Sequence, residues 1–83
     1  MDHEEIYEYL THRHELSDIE FEKEEGDNVF FTAVDKDTQF IGVILEPEHD
    51  RVNIYYVHDG QSHLEEVVTV SSYDEFLAER MGA

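Results

Sequence analysis

The chain has 83 residues, of which 22 are Asp or Glu and five are Lys or Arg, so its formal net charge is −17. Direct binding to nucleic acid or to an anionic membrane is not expected, because contacts with phosphates need Lys and Arg side chains. The lack of cysteine excludes disulfides, thiolate zinc sites and cysteine nucleophiles. The length indicates one domain, residues 1–83, and the short apolar runs predict a soluble, cytoplasmic protein.

Two interpretations of this acidity are open. One is adaptation to high salt, in which carboxylates cover the whole surface and are screened by ions. The presence of only two lysines, Lys23 and Lys36, agrees with that interpretation. The other is an acidic surface that imitates nucleic acid or docks on a basic protein. We favour salt adaptation, because charge balance affects solubility before it affects function.

In chain order, the first predicted element is a helix over residues 2–15. It places Ile6, Tyr9 and Leu10 on one side at helical spacing, with Asp2 as the expected N-cap. Strands are expected to follow at residues 19–24, 29–34, 40–45, 52–57 and 64–70. A final helix is predicted after Ser71 or Ser72, either of which is expected to cap it.

The connections between these strands consist of turn-forming residues. Gly26 with Asp27, and Asp59 with Gly60, are typical of tight hairpin turns. Pro47 lacks a backbone N–H and predicts a loop between the third and fourth strands. All strand connections are too short for a parallel crossover. The prediction is therefore an α+β fold with an N-terminal helix, a five-stranded antiparallel meander sheet in the order 1-2-3-4-5, and a short C-terminal helix.

Alternation along each strand assigns every residue to one sheet face, provided that each connection keeps an even residue count. The two helices are expected to pack on the core face. On this assumption the core face carries Ile19, Phe21, Phe30, Thr32, Val34, Ile41, Val43, Leu45, Val52, Ile54, Tyr56, Val67 and Thr69. One odd connection would exchange the faces from that point onward.

The second sheet face is predicted to be apolar as well, which is unusual for a face that meets water. Its apolar area would exceed the patch that a soluble monomer normally exposes. A homodimer interface, a C-terminal helix that covers the patch, or a strongly curled sheet would each explain it. We favour the homodimer, because symmetric dimers are the commonest oligomers. The predicted partner-binding residues are Phe31, Phe40, Ile44, Tyr55, Val57, Leu64 and Val68.

An acidic surface is predicted on the first strand, where Glu20, Glu22 and Glu24 occupy alternate positions. Alternation would place the three carboxylates in a row on one face, about 6.6–7 Å apart. That distance is close to the phosphate spacing along a nucleic-acid strand. The row motivates the alternative prediction, an inhibitor that imitates nucleic acid and binds a basic or nucleic-acid-binding protein.

Histidines and carboxylates suggest one possible metal site. His58 and His63 flank the Asp59-Gly60 turn and, with Glu65, have suitable chemistry for zinc or iron. Polar residues at a solvated hairpin end are the simpler interpretation, so no metal and no cofactor is predicted. The chain also lacks a nucleophile elbow and a phosphate-binding glycine loop. We therefore predict a non-catalytic protein interaction module rather than an enzyme.

Overall fold

A computed structural model describes residues 3–82 of the chain. Its element types and order confirm the predicted fold. The elements are α1 His3–Arg13, β1 Ser17–Glu25, β2 Asn28–Val34, β3 Phe40–Glu48, β4 Arg51–His58, β5 Gln61–Thr69 and α2 Val70–Gly82. Asp2, the expected N-cap of α1, lies outside the described residues.

The five strands form one open antiparallel sheet in the order β1-β2-β3-β4-β5, as predicted. The turns between them follow local chemistry. Asp59 and Gly60 join β4 to β5 with φ angles of 53° and 77°, the left-handed backbone that Asp-Gly pairs favour in two-residue hairpins. Gly26 has a φ of 64° in the turn between β1 and β2. These turns set the antiparallel direction of each hairpin.

Both helices pack on the same face of the sheet, so α2 does not cover the opposite face. Tyr9 of α1 lies edge-on to Phe76 of α2, with ring centroids 4.9 Å apart. Tyr7 of α1 meets Phe31 of β2 in the same way at 5.2 Å. The buried apolar core consists of Ile6, Tyr9, Leu10, Leu16, Val29, Phe31, Ala33, Ile41, Val43, Leu45, Val52, Ile54, Val68, Tyr73 and Phe76.

The predicted place of Phe31 on the second face is wrong, because Phe31 lies in this core with 1% of its surface exposed. Val34 pairs with Phe40 across the β2–β3 connection. That connection, residues 35–39, has an odd number of residues and so reverses the face expected for β2. The Asp35 carboxylate stabilises it by accepting two backbone N–H hydrogen bonds from within the connection, each 2.9 Å long.

The predicted place of Val68 on the second face is also wrong, since Val68 is fully buried in the core. A β-bulge causes the change. Glu65 is an extra residue of β5 between the partners of Ile54 and Tyr55. A bulge of one residue reverses the face of every residue that follows in the strand. Val67 therefore points away from the core, and Val68 points into it.

The loop predicted around Pro47 is shorter than expected. β3 continues to Glu48 and β4 begins at Arg51, so the turn contains only His49 and Asp50. Pro47 lies in β3 beyond the last residue that pairs with β2. At that position β3 has a neighbour on one side only, and a strand with a free side tolerates the missing N–H of proline.

Helix α2 begins at Val70, directly after the last residue of β5. Its N-cap is Thr69 rather than Ser71 or Ser72. The Ser72 backbone N–H donates to Thr69 Oγ1 at 3.2 Å, and the Thr69 backbone N–H donates to Ser72 Oγ at 2.8 Å. These reciprocal bonds form a capping box with Ser72 at the position usually taken by Glu or Gln. The chain therefore passes from strand to helix without a loop.

Candidate interaction surface

We call the sheet face turned away from the helices the outer face. Phe40, Leu64 and Val67 expose 71%, 57% and 40% of their surfaces there. Single exposed apolar side chains are common, but a continuous apolar surface across four strands is typical of a contact surface. On strands β2 to β5 the outer face includes Phe30, Thr32, Val34, Phe40, Gly42, Ile44, Glu46, Glu48, Arg51, Asn53, Tyr55, Val57, Ser62, Leu64, Val67 and Thr69.

Most of the residues predicted to bind a partner are on the outer face, namely Phe40, Ile44, Tyr55, Val57 and Leu64. The other two, Phe31 and Val68, are core residues. Phe30, Val34 and Val67 were missed, because the prediction assigned them to the core face. Counting the residues of the β2–β3 connection could have placed Phe30 and Val34 correctly. The bulge in β5 leaves no comparable signal in the sequence.

Acidic side chains are scarce on the outer face. On strands β2 to β5 its carboxylates are Glu46 and Glu48, whereas 22 of the 83 residues in the chain are Asp or Glu. The edge strand β1 adds Glu20 and Glu25 on the same side of the sheet. Glu48 forms an ion pair with Arg51 at 2.9 Å. Glu46 accepts hydrogen bonds from the Asn53 amide at 3.0 Å and from the Tyr55 hydroxyl at 3.3 Å. Both carboxylates already have partners within the face, which lowers the free energy needed to remove water from it.

A notch of about 290 Å³ interrupts the outer face above Gly42. Phe30, Ile44 and Val57 surround it, and Glu22 and Lys23 of β1 close one side. A Cβ atom on Gly42 would stand 3.2 Å from the Cβ of Val57, so a larger residue at this position would crowd β4. The Lys23 ammonium lies 4.8 Å from the centre of the Phe30 ring, a cation–π contact. The notch therefore has apolar and aromatic walls on three sides and a charged wall on the side of β1.

A polar cluster lies on the helix-covered face and joins α1 to β5. Glu66 accepts a hydrogen bond from the Tyr9 hydroxyl at 2.7 Å and contacts Nε2 of His14. The His14 ring lies edge-on to Tyr56, with centroids 5.9 Å apart. Burial, followed by the hydrogen bond to Glu66, raises the pKa of Tyr9 to about 12, and burial also raises the pKa of Tyr56. These contacts hold the helix on the sheet, and we assign the cluster a structural role.

The row of carboxylates predicted on β1 is not formed. Glu20 lies on the outer side of the strand, whereas Glu24 lies on the helix-covered side, opposite Val29. Glu22 lies in a β-bulge between them, and the bulge reverses the alternation. Exposed carboxylates occur on both helices, on β1 and in the turns. The acidity is therefore spread over the molecule and leaves out the centre of the outer face.

The histidine set considered for a metal is not assembled into a site. His63 lies opposite Tyr56, and His58 is the last residue of β4, opposite Gln61. Glu65 is the bulged residue of β5. Within residues 3–82, no group of three or more His, Asp or Glu side chains is arranged to hold a metal ion.

Comparisons of the chain with protein-family models, with curated proteins and with solved structures found no match. Neither helix of the described residues has the length and apolar character needed to cross a membrane. Function is therefore inferred from the surface of the molecule, and the outer face is its most distinctive part.

Proposed function

We propose that the protein is a non-catalytic interaction module that forms a homodimer through the outer face in a salt-rich cytoplasm. The supporting observation is an uncovered sheet face whose strands β2 to β5 carry only two carboxylates, both paired within the face, in a chain of charge −17. A face adapted to water alone would alternate to polar residues on every strand. An apolar centre with a polar rim is instead the usual anatomy of a protein interface.

The size of the outer face fits a reversible dimer. Four strands spaced about 4.8 Å apart and about 25 Å long give a face of about 500 Å². Two copies would bury about 1,000 Å² in total, which is near the lower limit for a specific interface. A second copy offers a face of the same width and polarity, and two sheets can pack face to face about 10 Å apart. We therefore expect an association that depends on concentration.

Salt should control this association. Each copy carries a charge of −17, so two copies repel each other at low ionic strength. The Debye length is about 3 Å at 1 M salt, which removes almost all repulsion between exposed charges. The contact itself is apolar and keeps its strength in salt. We expect dimers in molar potassium chloride and monomers in dilute buffer.

Sedimentation equilibrium over a concentration series in molar potassium chloride tests the proposal. The wild-type protein should show a monomer–dimer equilibrium. Leu64→Glu should abolish the dimer, because it places a charge among the apolar side chains of the outer face. A wild-type protein that remains monomeric at every concentration in molar salt would overturn the homodimer.

Val70→Glu is the matched control for Leu64→Glu. Val70 exposes 53% of its surface, close to the 57% of Leu64, but it lies in the first turn of α2 and not on the outer face. A negative charge is favourable at the beginning of a helix, so the substitution should not harm folding. The Val70→Glu protein should dimerise like the wild type. If both variants lose the dimer equally, the outer face is not the interface.

A nucleic-acid-mimicking inhibitor is the second candidate function. The net charge of −17 on a small body favours it. The absence of a regular carboxylate row on β1 removes the feature that motivated it most directly. Capture of a nucleic-acid-binding protein from the native cell extract, at the salt concentration of that cell, would support mimicry. If the wild-type protein captures none while dimerising, the homodimer is the better explanation.

A further inference from the structure

We propose that the two outer faces meet about a twofold axis that runs parallel to the strands, midway between β3 and β4. This axis rests on the proposed homodimer and specifies how its two copies are oriented. It places β3 of each copy over β4 of the other copy, and β2 over β5. Strands β2 to β5 are then covered in both copies, as the buried area of the proposed dimer requires.

The two central strands of the outer face have a polar half and an apolar half. The polar half lies next to the β3–β4 turn and consists of Glu46, Glu48, Arg51 and Asn53. The apolar half lies towards the other end of these strands and consists of Phe40, Gly42, Ile44, Tyr55 and Val57. Because the two ends of the face differ, the possible directions of a twofold axis are not equivalent.

Aligned packing of two sheets allows the axis to run along the strands or across them. An axis across the strands at Ile44 reverses each strand end to end and lays the polar half of one copy on the apolar half of the other. Glu48 would then face Phe40, which removes a carboxylate from water without a charged partner across the interface. At the edge of the sheet, Glu20 of β1 would face Glu25 of the other copy, so that like charges oppose each other.

An axis along the strands lays the polar half of one copy on the polar half of the other. Glu48 and Arg51 pair across β3 and β4, so Glu48 of each copy faces Arg51 of the other copy. The four side chains form a cluster in which neighbouring charges have opposite signs. The carboxylates of β1 lie beyond the edge of β5 of the other copy and stay in water. This direction therefore gives electrostatic complementarity, which the other direction lacks.

The axis along the strands also fills the notch. Gly42 pairs with Val57, so Val57 of each copy lies over Gly42 of the other copy. The volume of the notch, about 290 Å³, exceeds the roughly 150 Å³ of a cavity that holds a benzene molecule, so an isopropyl group fits. Ile44 of each copy faces Tyr55 of the other copy in the same way. Apolar side chains therefore meet apolar side chains in the centre of the interface.

Single cysteines test the direction of the axis, because the chain has no cysteine of its own. His49 is exposed in the β3–β4 turn and lies close to the proposed axis. Two His49→Cys copies would be about 10 Å apart, which is the distance between packed sheets, and a bismaleimide of that span should join them in molar potassium chloride. An axis across the strands at Ile44 would separate them by about 35 Å, since five residues span about 17 Å on each side.

Lys23→Cys is the matched control for His49→Cys. Lys23 is also exposed, and it lies on β1 at the level of Ile44, since both residues pair with Phe30. With the proposed axis, two Lys23→Cys copies would be about 25 Å apart and should not be joined. With an axis across the strands they would be about 10 Å apart and would be joined instead.

Sedimentation in molar potassium chloride shows whether each cysteine variant dimerises, and Asp50→Cys in the same turn replaces His49→Cys if that variant does not. Cross-linking in dilute buffer, where monomers are expected, measures chance collisions. Cross-linking of His49→Cys in molar salt, without that of Lys23→Cys, supports the proposed axis. Any other pattern in a protein that dimerises overturns the axis, whereas the homodimer stands if Leu64→Glu abolishes it. If the wild-type protein does not dimerise at all, both the homodimer and the axis are overturned.

Discussion

At the scale of single residues, Glu66 supports the contact between α1 and the last strand. Replacing it with alanine would leave the buried Tyr9 hydroxyl without its acceptor at 2.7 Å and His14 without its carboxylate contact. An unsatisfied buried donor costs about 1–3 kcal/mol. We expect Glu66→Ala to lower the free energy of unfolding by that amount in molar salt. Urea denaturation followed by circular dichroism measures the change.

Glu65→Ala is the matched control for Glu66→Ala. Both substitutions remove one negative charge, so their effects on overall repulsion cancel in the comparison. Glu65 is exposed, and an exposed substitution changes the free energy of unfolding by about 0.5 kcal/mol or less. Equal destabilisation by the two variants would contradict the role assigned to the polar cluster.

Tyr9 should also make stability depend on pH in the alkaline range. Its pKa is about 12 in the folded protein, mainly because of burial, compared with an ordinary value of 10.0. The folded state therefore favours the protonated phenol. The resulting stabilisation is complete below pH 10 and is lost as the pH rises from 10 towards 12. The free energy of unfolding should decline over this range, with a smaller slope in Tyr9→Phe than in the wild type. Parallel slopes would show that Tyr9 is not responsible.

At the scale of elements, the junction between β5 and α2 depends on Thr69. Thr69→Ala removes the N-cap oxygen that accepts the Ser72 backbone N–H. Loss of such a cap costs about 0.5–2 kcal/mol. Thermal unfolding should show a melting temperature lower by several degrees, since about 1 kcal/mol corresponds to about 4–8 °C in a domain of this size. Ser71→Ala is the control. Ser71 follows Thr69 by two residues, and its replacement should change the free energy of unfolding by about 0.5 kcal/mol or less.

The elements were predictable from sequence because their signals are local. The Asp59-Gly60 turn and the alternation of β3 and β4 need no tertiary information, and both are confirmed. The faces were less predictable. The bulge in β5 accommodates one extra residue and places Val68 beneath the helices. The position of this bulge depends on packing against the helices, which the sequence of a single strand does not encode.

The difference between local signals and tertiary packing also explains which residues of the candidate surface were placed on the correct face. Its predicted members that lie on β3 and β4 are correctly placed, because no irregularity separates those two strands. Phe31 of β2 and Val68 of β5 changed faces at the odd connection and at the bulge, whereas Leu64 precedes the bulge and lies on the predicted face. The notch above Gly42 was not predicted, because it depends on how the side chains of four strands are arranged around one glycine.

At the scale of the whole molecule, the charge should make stability depend strongly on salt. Self-repulsion of −17 on 83 residues opposes the compact state at low ionic strength. Between 0.01 M and 1 M salt the Debye length falls from about 30 Å to about 3 Å. We expect the melting temperature to rise steeply from about 0.05 M to about 2 M potassium chloride. An unchanged melting temperature would contradict salt adaptation and favour an acidic surface selected for a partner.

Protonation should partly replace salt in this experiment. Lowering the pH towards 5 adds protons to some carboxylates and reduces the negative charge. The melting temperature in dilute buffer should therefore rise at that pH. The increases in melting temperature caused by salt and by acid should not be fully additive, because both treatments reduce the same charge repulsion. Calorimetry at two salt concentrations and two pH values separates these effects, and full additivity would indicate independent causes.

The pairing of Tyr9 with Glu66 also bears on how the chain folds during synthesis. The two residues are 57 positions apart, so the first helix to be made meets its carboxylate partner only when the last strand has emerged. At about 5–20 residues per second, the interval is about 3–11 s. A helix of 11 residues is marginal alone in water, so α1 depends on contacts with the strands that are made after it. A ribosome stalled before residue 66 would hold a nascent chain in which α1 can contact Phe31 but lacks the hydrogen bond from Tyr9 to Glu66.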